Sequence, residues 1–338
     1  MYIRPVTRDD LDAVLMIARA AGIGMTSLPA DTEVLHEKIE RAAKTFDMSL
    51  KNPEDALYFF VMEDEETQQI VGTCGIEAFV GLRRPMFSYK IITVTRHSET
   101  LNKLVRNEML HMVNDYTGVS EIGSLFLLPE YRRDRLGRFL SRMRLQFMAI
   151  FRERFGEKVI AEIRGWHDGK GNSPFYDSLA KNFFHIDFTE ADWICATQGN
   201  RFISELMPTY PIYVDLLPIE AQNVIGVPYV NSEPAKAMLE REGFKFNKYV
   251  DVFDGGPTLE ADIDNLRIVR DITRAPIRSI VAQKDDMQRK MLMTTDFARL
   301  RAVLGWIEEH DDGTISLDRH SAELLHLHLG DVVAISGA

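Results

Sequence analysis

The feature that most constrains this chain is an apolar strand that leads directly into an arginine-rich turn and a long helix. The stretch from Leu125 to Leu140 reads LFLLPEYRRDRLGRFL, with arginines at 132, 133, 135 and 138. Its apolar run ends at Pro129, and amphipathic spacing predicts a helix over 136–155. A helix N-terminus has unpaired N–H groups and a partial positive charge, so clustered arginines there are unfavourable unless an anion is close. The pattern therefore predicts an anion site, with an exposed basic helix start as the alternative.

The remaining hydrophobic patterning mixes strands and helices, which favours an α+β fold around a largely antiparallel sheet. We predict strands at 2–6, 56–62, 70–79, 87–94, 121–128, 158–164 and 244–253. We predict helices from a cap at Asp9 or Asp10 to about residue 20, and at 31–46, 136–155, 174–182, 199–207, 218–224 and 233–242.

Length and a change of character near Ile272 predict two domains. A chain of 338 residues is long enough for one large domain with a smaller one appended. After Ile272 the sequence becomes a series of short apolar runs separated by charged turns. We therefore expect a large domain over 1–272 and a small β-rich domain over 273–338.

Composition excludes several classes of protein. The net charge of −11 argues against nucleic acid as a partner. The two cysteines, Cys74 and Cys195, form neither a disulfide framework nor a zinc motif, so we expect no metal. The N-terminus lacks the apolar core of a signal peptide, and no run of eighteen apolar residues could span a membrane. We expect a cytoplasmic protein with no membrane partner.

The strand, turn and helix resemble the cofactor site of the GNAT acyl-CoA N-acyltransferases. Their phosphate motif is Arg/Gln-x-x-Gly-x-Gly/Ala; Arg132 fits the first position and Gly137 the last, while Arg135 replaces the first glycine. A residue other than glycine adopts a positive φ less easily, so side chains become more important for phosphate binding. The predicted cofactor-binding residues are Leu125, Phe126, Leu127, Arg132, Arg133, Gly137 and Arg138.

Further motifs narrow the resemblance to one family. SLPAD at 27–31, NDYTGVSE at 114–121, AEIRG at 161–165, FISELMPTYPIYVDLLP at 202–218 and VDVFDGGPTLEADI at 250–263 occur together. Over about residues 1–270 the chain is similar to arginine N-succinyltransferases, and its extended tail resembles the alpha-type chains of arginine/ornithine succinyltransferases. This implies a GNAT-like fold, succinyl-CoA as cosubstrate, L-arginine as acceptor, no permanently bound cofactor, and a homo- or hetero-oligomer.

The resemblance suggests a role for Tyr229, and the chemistry of the side chains suggests roles for Glu162 and Arg164. Tyr229 stands where the family has a histidine that is thought to donate a proton, and a phenol, with an ordinary pKa near about 10, can also protonate a departing thiolate. The alternative is that a catalytic residue has been lost. Glu162 is expected to hold the cationic acceptor or to pair with Arg164. Arg164 is expected to clamp the succinyl carboxylate. Two other functions stay open: an ornithine-accepting enzyme and a weakly catalytic partner subunit.

Overall fold

A computed structural model describes residues 1–22, 25–168 and 170–337. Both predicted domains include a few residues outside these ranges, among them Ala338. The strands of the described part are β1 (Tyr2–Pro5), β2 (Leu57–Glu63), β3 (Ile70–Glu77), β4 (Ser88–Ser98), β5 (Lys103–Val113), β6 (Ser120–Leu127), β7 (Lys158–Glu162), β8 (Ile212–Tyr213), β9 (Lys245–Asp251), β10 (Pro257–Asp262), β11 (Thr273–Val281), β12 (Gln288–Thr294), β13 (Ala302–Glu309), β14 (Ile315–Asp318) and β15 (Val332–Gly337).

Two long N-terminal helices, one long central helix and several shorter ones flank these strands. They are α1 (Leu11–Ala21), α2 (Thr32–Phe46), α3 (Leu136–Ile150), α4 (Pro174–Ser178), α5 (Lys181–Phe184), α6 (Phe188–Gln198), α7 (Arg201–Leu206), α8 (Ile219–Gln222), α9 (Glu233–Glu242), α10 (Arg267–Asp271) and α11 (Arg319–Leu325).

The strands form one continuous, mixed sheet. Its order is β12-β15-β11-β14-β13-β1-β2-β3-β6-β7-β10-β9-β4-β5-β8. Two pairs, β6 with β7 and β11 with β14, are parallel, and the other pairs are antiparallel. Strand β2 is buried along its whole length because α1 and α2 pack on one face of the sheet and α3 packs on the other. The predicted α+β class, with a largely antiparallel sheet flanked by helices, is confirmed.

Strands β6 and β7 pair over only a short distance and then diverge. Their register joins Ser120 to Val159 and Glu121 to Ile160, and no later pair follows in the described residues. On its other edge β6 has a bulge, because Cys74 of β3 lies opposite both Ser124 and Leu125. The diverging edge therefore leaves backbone groups of β6 accessible beside an opening in the sheet.

The strand predicted at 87–94 is too short, and the strand that pairs with it was missed. In the structure β4 continues to Ser98 and forms a long hairpin with β5. Strand β5 is exposed along its first four residues, so it lacks the apolar alternation of a half-buried strand. Strand β10 and helix α6 were also missed.

Strands β11–β15 form a closed five-stranded ring, because β12 pairs with both β15 and β13. Helix α11 packs against this ring, and the interior is apolar. The ring, hereafter the C-terminal barrel, joins the rest of the sheet through β13, whose Val303 and Ala302 pair with Tyr2 and Ile3 of β1. The β-rich character of the tail is confirmed, whereas a domain boundary at 272/273 stays a prediction.

Candidate functional site

A cavity of about 900 Å³ opens where β6 and β7 diverge. Hereafter it is the main cavity. It extends from the N-terminus of α3, past the bulged edge of β6, to the end of β7 and the start of α9. Nine of the ten residues predicted from the sequence line it: Leu125, Phe126, Leu127, Arg132, Arg133, Gly137, Glu162, Arg164 and Tyr229.

Arg138 is the exception among the predicted residues. It lines a second cavity of about 360 Å³, which lies between α3 and the C-terminal barrel. Asp134 and Arg135 line both cavities, so the two are neighbours across the turn that precedes α3.

The turn before α3 adopts a left-handed conformation without glycine. Asp134 has φ 52°, and Arg135, which occupies the N-cap position of α3, has φ 64° and ψ 17°. Each such residue costs of the order of 1 kcal/mol relative to glycine. Arg135, which stands where the motif has glycine, therefore still adopts a positive φ. The expected loss of this backbone conformation does not occur. Strain of this kind is often retained where a backbone must hold a ligand.

The N-terminus of α3 is open to the main cavity. No side chain caps it, and its first turn contains no acidic residue. The N–H groups of Gly137 and Arg138 belong to this first turn, where a helix offers no internal acceptors. A Cβ placed on Gly137 would come no closer than 3.9 Å to Leu127, so the space beside this glycine is open. The arrangement suits a phosphate group.

Arg132 folds back onto β6, whereas Arg133 is exposed. The Nε of Arg132 donates a hydrogen bond to the carbonyl oxygen of Leu127 at 3.0 Å, and its guanidinium lies 5.3 Å from the ring centroid of Phe126. Arg133 lies 3.9 Å from Asp134, a separation at which exposed charges interact weakly. Arg132 is therefore held beside the cavity wall, and Arg133 is free to adjust.

Side chains of neighbouring segments hold the bulge in β6 in place. Ser124 has φ 50°, and its N–H donates to the Oγ of Ser27 at 3.1 Å. The Nζ of Lys38 donates to the Oγ of Ser124 at 2.8 Å, and the Oγ1 of Thr73 donates to the Ser124 carbonyl oxygen at 2.9 Å. Burial lowers the pKa of Lys38 to about 8. These contacts fix the backbone that leads into Leu125.

The opposite end of the main cavity contains a group of four carboxylates, hereafter the acidic cluster; a further carboxylate, Asp192, also lines the cavity and accepts a hydrogen bond from the Oγ1 of Thr26 at 3.0 Å. It comprises Glu121 of β6, Glu162 of β7, Asp251 of β9 and Asp254 of the following turn. Burial raises the pKa of Glu121 to about 7, and Glu77, directly opposite on β3, adds to the shift. The side chain of Glu162 lines the cavity and is accessible from it. Surrounding protein atoms nevertheless raise the pKa of Glu162 well above the ordinary value, and repulsion from the other three carboxylates adds to the shift. Bringing these groups together in a poorly solvated site favours a cationic ligand.

Asp251 and Asp254 also hold the turn between β9 and β10. Asp251 accepts hydrogen bonds from the backbone N–H groups of Phe253 and Asp254, at 2.7 and 2.9 Å. Asp254 accepts from Gly165 at 2.6 Å and Gly256 at 2.8 Å. Burial, with Asp251 beside it, raises the pKa of Asp254 to about 8. The turn between β9 and β10 is therefore tied to Gly165, just after β7.

Tyr229 lies at the junction between the two ends of the main cavity. Its N–H donates to the carbonyl oxygen of Arg164 at 2.8 Å, and Pro228 forms a β-bridge with Gly165. Its ring stacks on that of His167, with centroids 4.1 Å apart and planes 15° apart. The Nδ2 of Asn231 donates to the phenol oxygen at 3.4 Å. Tyr229 is thus a positioned residue that reaches the cavity.

Sequence reasoning missed part of the acidic cluster. Glu121, Asp251 and Asp254 were quoted only inside longer motifs. A weak signal existed: Glu121 opens an apolar strand, and Asp251 ends one. Neither position indicates that the residue lies near Glu162. That proximity arises only in the folded sheet, where β7 pairs with β6 on one side and with β10 on the other.

In the described ranges, no group of three or more His, Cys, Asp or Glu side chains is arranged to hold a metal ion. No helix within the described part of the chain combines the length and apolarity needed to cross a membrane.

Comparisons with known proteins agree on one class. The model of the family described as arginine N-succinyltransferase beta subunit matches residues 1–268. An arginine N-succinyltransferase of Yersinia pestis (strain Pestoides F) is 43% identical over 345 aligned positions, covering 99% of this chain and 97% of that protein. One from Escherichia coli (strain 55989 / EAEC) is 42% identical with the same coverage. The solved arginine/ornithine succinyltransferase subunit AI from Pseudomonas aeruginosa is 30% identical, with TM-score 0.89 and 99% and 98% coverage.

The class is that of the acyl-CoA N-acyltransferases of the GNAT type, as the order of strand, turn and helix predicts. Within it, the chain belongs to the arginine N-succinyltransferase family. The family prediction is therefore confirmed. The family model describes a beta subunit and the similar solved structure is a subunit AI, so the predicted alpha-type assignment stays a prediction.

Proposed function

We propose that this chain transfers the succinyl group of succinyl-CoA to the α-amine of L-arginine. The observation that carries the proposal is one continuous cavity with an anion-binding helix N-terminus at one end and four carboxylates at the other. The names of its relatives supply the reaction class. A succinyl-CoA donor and an arginine acceptor have the matching charges.

The donor would lie along the diverging edge of β6. Its pyrophosphate would meet the open N-terminus of α3, with Arg132 and Arg133 supplying further donors. Its pantetheine would follow Leu125–Leu127, where β7 has moved away and backbone groups are accessible. The thioester carbonyl would then face the anchored bulge, and a backbone N–H of Leu125–Leu127 would polarise it.

The acceptor would occupy the acidic end. Glu162 and its neighbouring carboxylates suit the guanidinium of arginine, because each guanidinium presents five donors and a charge that burial does not remove. Arg164 lies on the cavity beside Tyr229 and would hold the free carboxylate of the succinyl group.

The reaction is direct attack of the neutral α-amine on the thioester. The N–C bond forms as the C–S bond breaks, the amine loses a proton and the CoA thiolate gains one. Glu121 would accept the amine's proton, since a carboxylate with a pKa of about 7 is still partly ionised at neutral pH and is more basic than an ordinary glutamate. Tyr229 would donate a proton to the thiolate.

The decisive experiment is an assay of the purified chain by itself. We expect CoA release from succinyl-CoA that depends on added arginine, together with a product whose mass is that of N-succinylarginine. Turnover without any other chain excludes a non-catalytic partner subunit. Thioester consumption that ignores arginine would contradict the proposal.

Ornithine is the second acceptor to test, because the similar Pseudomonas aeruginosa structure is that of an arginine/ornithine succinyltransferase subunit. Arginine and ornithine share the α-amino acid end and differ in the cationic group. The ratio of their kcat/KM values decides the preference, and we expect it to favour arginine because several carboxylates surround the site for the cation.

The remaining partner predictions go with this function. We expect no nucleic acid partner, a homo- or hetero-oligomer, and a cytoplasmic location; each stays a prediction. Succinyl-CoA is a cosubstrate in this proposal, and no permanently bound cofactor takes part in it.

A further inference from the structure

The second cavity has no role in the chemistry described so far. It lies between the first two turns of α3 and the C-terminal barrel, and its volume is about 360 Å³. Four arginines, one aspartate and three apolar residues line it: Asp134, Arg135, Arg138, Phe139, Arg142, Arg289, Met291 and Leu304. Such a concentration of one charge between two packed units requires an explanation.

The four arginines are not equivalent. Arg142 is buried and ion-paired with Glu242 at 2.8 Å, and it also donates to the carbonyl oxygen of Gly337. It therefore joins α3 to α9 and to the barrel. In the described residues Arg135, Arg138 and Arg289 have no carboxylate within 4.0 Å. Burial lowers the pKa of Arg138, and Arg142 beside it adds to this effect.

The ring of arginines and the apolar wall together suit a phosphorylated ligand. Guanidinium groups bind a phosphate dianion through charge-assisted, bidentate hydrogen bonds. Phe139, Met291 and Leu304 give the cavity an apolar side against which a sugar or base can pack. An isolated inorganic ion would use only the polar side.

We propose that the second cavity binds the 3′-phosphate of the CoA thioester, and that Arg289 of the C-terminal barrel is a specificity residue for it. The inference rests on the proposed function, in which the CoA pyrophosphate meets the N-terminus of α3. Asp134 and Arg135 line both cavities, so the adenosine end of a ligand placed there continues directly into the second one. The barrel thereby takes part in donor recognition.

Arg289 is the best residue for a test. It lies on β12, opposite Trp306 of β13, and it is exposed, so its removal leaves the core unchanged. Arg278 of β11 is a matched control: it is an exposed arginine of the same barrel, pairs with Asp312 at 3.4 Å and lines neither cavity.

The experiment is calorimetric titration of the full chain with CoA and with 3′-dephospho-CoA, which differ by one phosphate group. We expect the unmodified protein to bind CoA roughly tenfold or more tightly than 3′-dephospho-CoA, the scale of a hydrogen bond to a charged group. Arg289→Ala should weaken CoA binding by a similar factor and leave 3′-dephospho-CoA binding unchanged. Arg289→Lys should recover part of the difference, and Arg278→Ala should alter neither affinity.

Equal affinities for the two ligands in the unmodified protein would overturn the proposal, as would an Arg289→Ala variant that loses both affinities equally or neither. Titration with inorganic phosphate separates a general anion site from a nucleotide site. If Arg289→Ala abolishes phosphate binding but the unmodified protein does not prefer CoA to 3′-dephospho-CoA, the proposal is also overturned. A protein that prefers CoA in this way but does not succinylate arginine would refute the proposed function alone.

Discussion

The two ends of the main cavity carry opposite charge and are built in opposite ways. The donor end is formed by one continuous segment, Leu125–Arg138, whose backbone path and arginines supply the recognition. The acceptor end is assembled from β6, β7, β9 and the turn after β9, and its charge comes from carboxylates that are far apart in the chain. A donor site can therefore keep its geometry through local structure, whereas an acceptor site depends on the register of the whole sheet.

The comparison also separates two kinds of energetic cost. The donor end holds Asp134 and Arg135 in the left-handed region, which costs conformational energy. The acceptor end holds like charges together with little solvent, which costs electrostatic energy and raises the pKa of its carboxylates. A cationic ligand relieves the electrostatic cost at the acceptor end, whereas the conformational cost at the donor end does not depend on the charge of a ligand.

The largest effect on kcat is expected at the acceptor end, from removal of Glu121, the proposed general base. Glu121→Gln should lower kcat by roughly 10²- to 10⁴-fold, the range of general base catalysis, with little change in succinyl-CoA affinity. The wild-type rate should fall as the pH drops below about 7, because Glu121 becomes protonated. Glu77→Gln is the neighbouring control, since it alters charge across the strands without lining the cavity. An unchanged acid limb in Glu121→Gln would assign the base elsewhere.

A smaller loss is expected between the two ends. Tyr229→Phe should lower kcat by roughly 10²-fold if the phenol protonates the thiolate, while leaving succinyl-CoA affinity nearly unchanged. Tyr229→His should retain activity and add a pH dependence near the ordinary histidine pKa of about 6.5. Tyr210→Phe, at an 83% exposed tyrosine, is the control. Full kcat in Tyr229→Phe would reduce the tyrosine to a packing partner of His167.

At the donor end, the effect should be on binding alone. The double variant Arg132→Ala with Arg138→Ala should weaken succinyl-CoA binding by roughly tenfold or more, since hydrogen bonds to a charged phosphate are lost. The fold should remain intact, because Arg132 is exposed and Arg138 is only half-buried, and surface substitutions usually change stability by less than about 0.5 kcal/mol. Arg83→Ala with Arg106→Ala removes the same charge from exposed residues that line neither cavity. Unchanged affinity by calorimetry would remove these arginines from the donor site.

The smallest effect concerns the stability of the acceptor end. The folded-state pKa values of Glu121 and Asp254, about 7 and about 8, lie above their unfolded values, so their contribution to stability is fully present below about pH 4 and is lost as the pH rises through 8. Bound arginine relieves the repulsion between the ionised groups. It should therefore raise Tm by a few degrees more at pH 8.5 than at pH 6, at roughly 2–4 °C per kcal/mol.

Citrulline, whose side chain is uncharged, is the matched ligand for that measurement. It should stabilise the protein less than arginine does, and equally at both pH values. An arginine shift that is the same at pH 6 and pH 8.5 would show that the cluster does not meet the guanidinium.

The same contrast decides what could be predicted from the sequence. The strand, the turn and α3 were predicted because they are local, and the residues named from that segment line the main cavity except Arg138. Arg138 was misplaced because the barrel packs close to α3, and no pattern within 125–140 indicates this packing. Glu121 and Asp251 were missed because their proximity depends on strand pairing that no local pattern indicates: β6 pairs with β7, β7 pairs with β10, and β10 pairs with β9, which ends at Asp251. Strand β5 was missed because its exposed side chains remove the alternation that identifies a strand.

The pairing of β1 with β13 has a consequence for the order in which the protein can be completed on the ribosome. Strand β1 contains residues 2–5 and lies between β2 and β13, whose pairing residues are 302 and 303. The outer edge of β1 therefore stays unpaired until residues 302 and 303 have been synthesised, and such an edge can recruit other strands in the meantime. Strand β13 therefore covers the edge of β1, and a truncation that removes β13 exposes that edge and also opens the barrel.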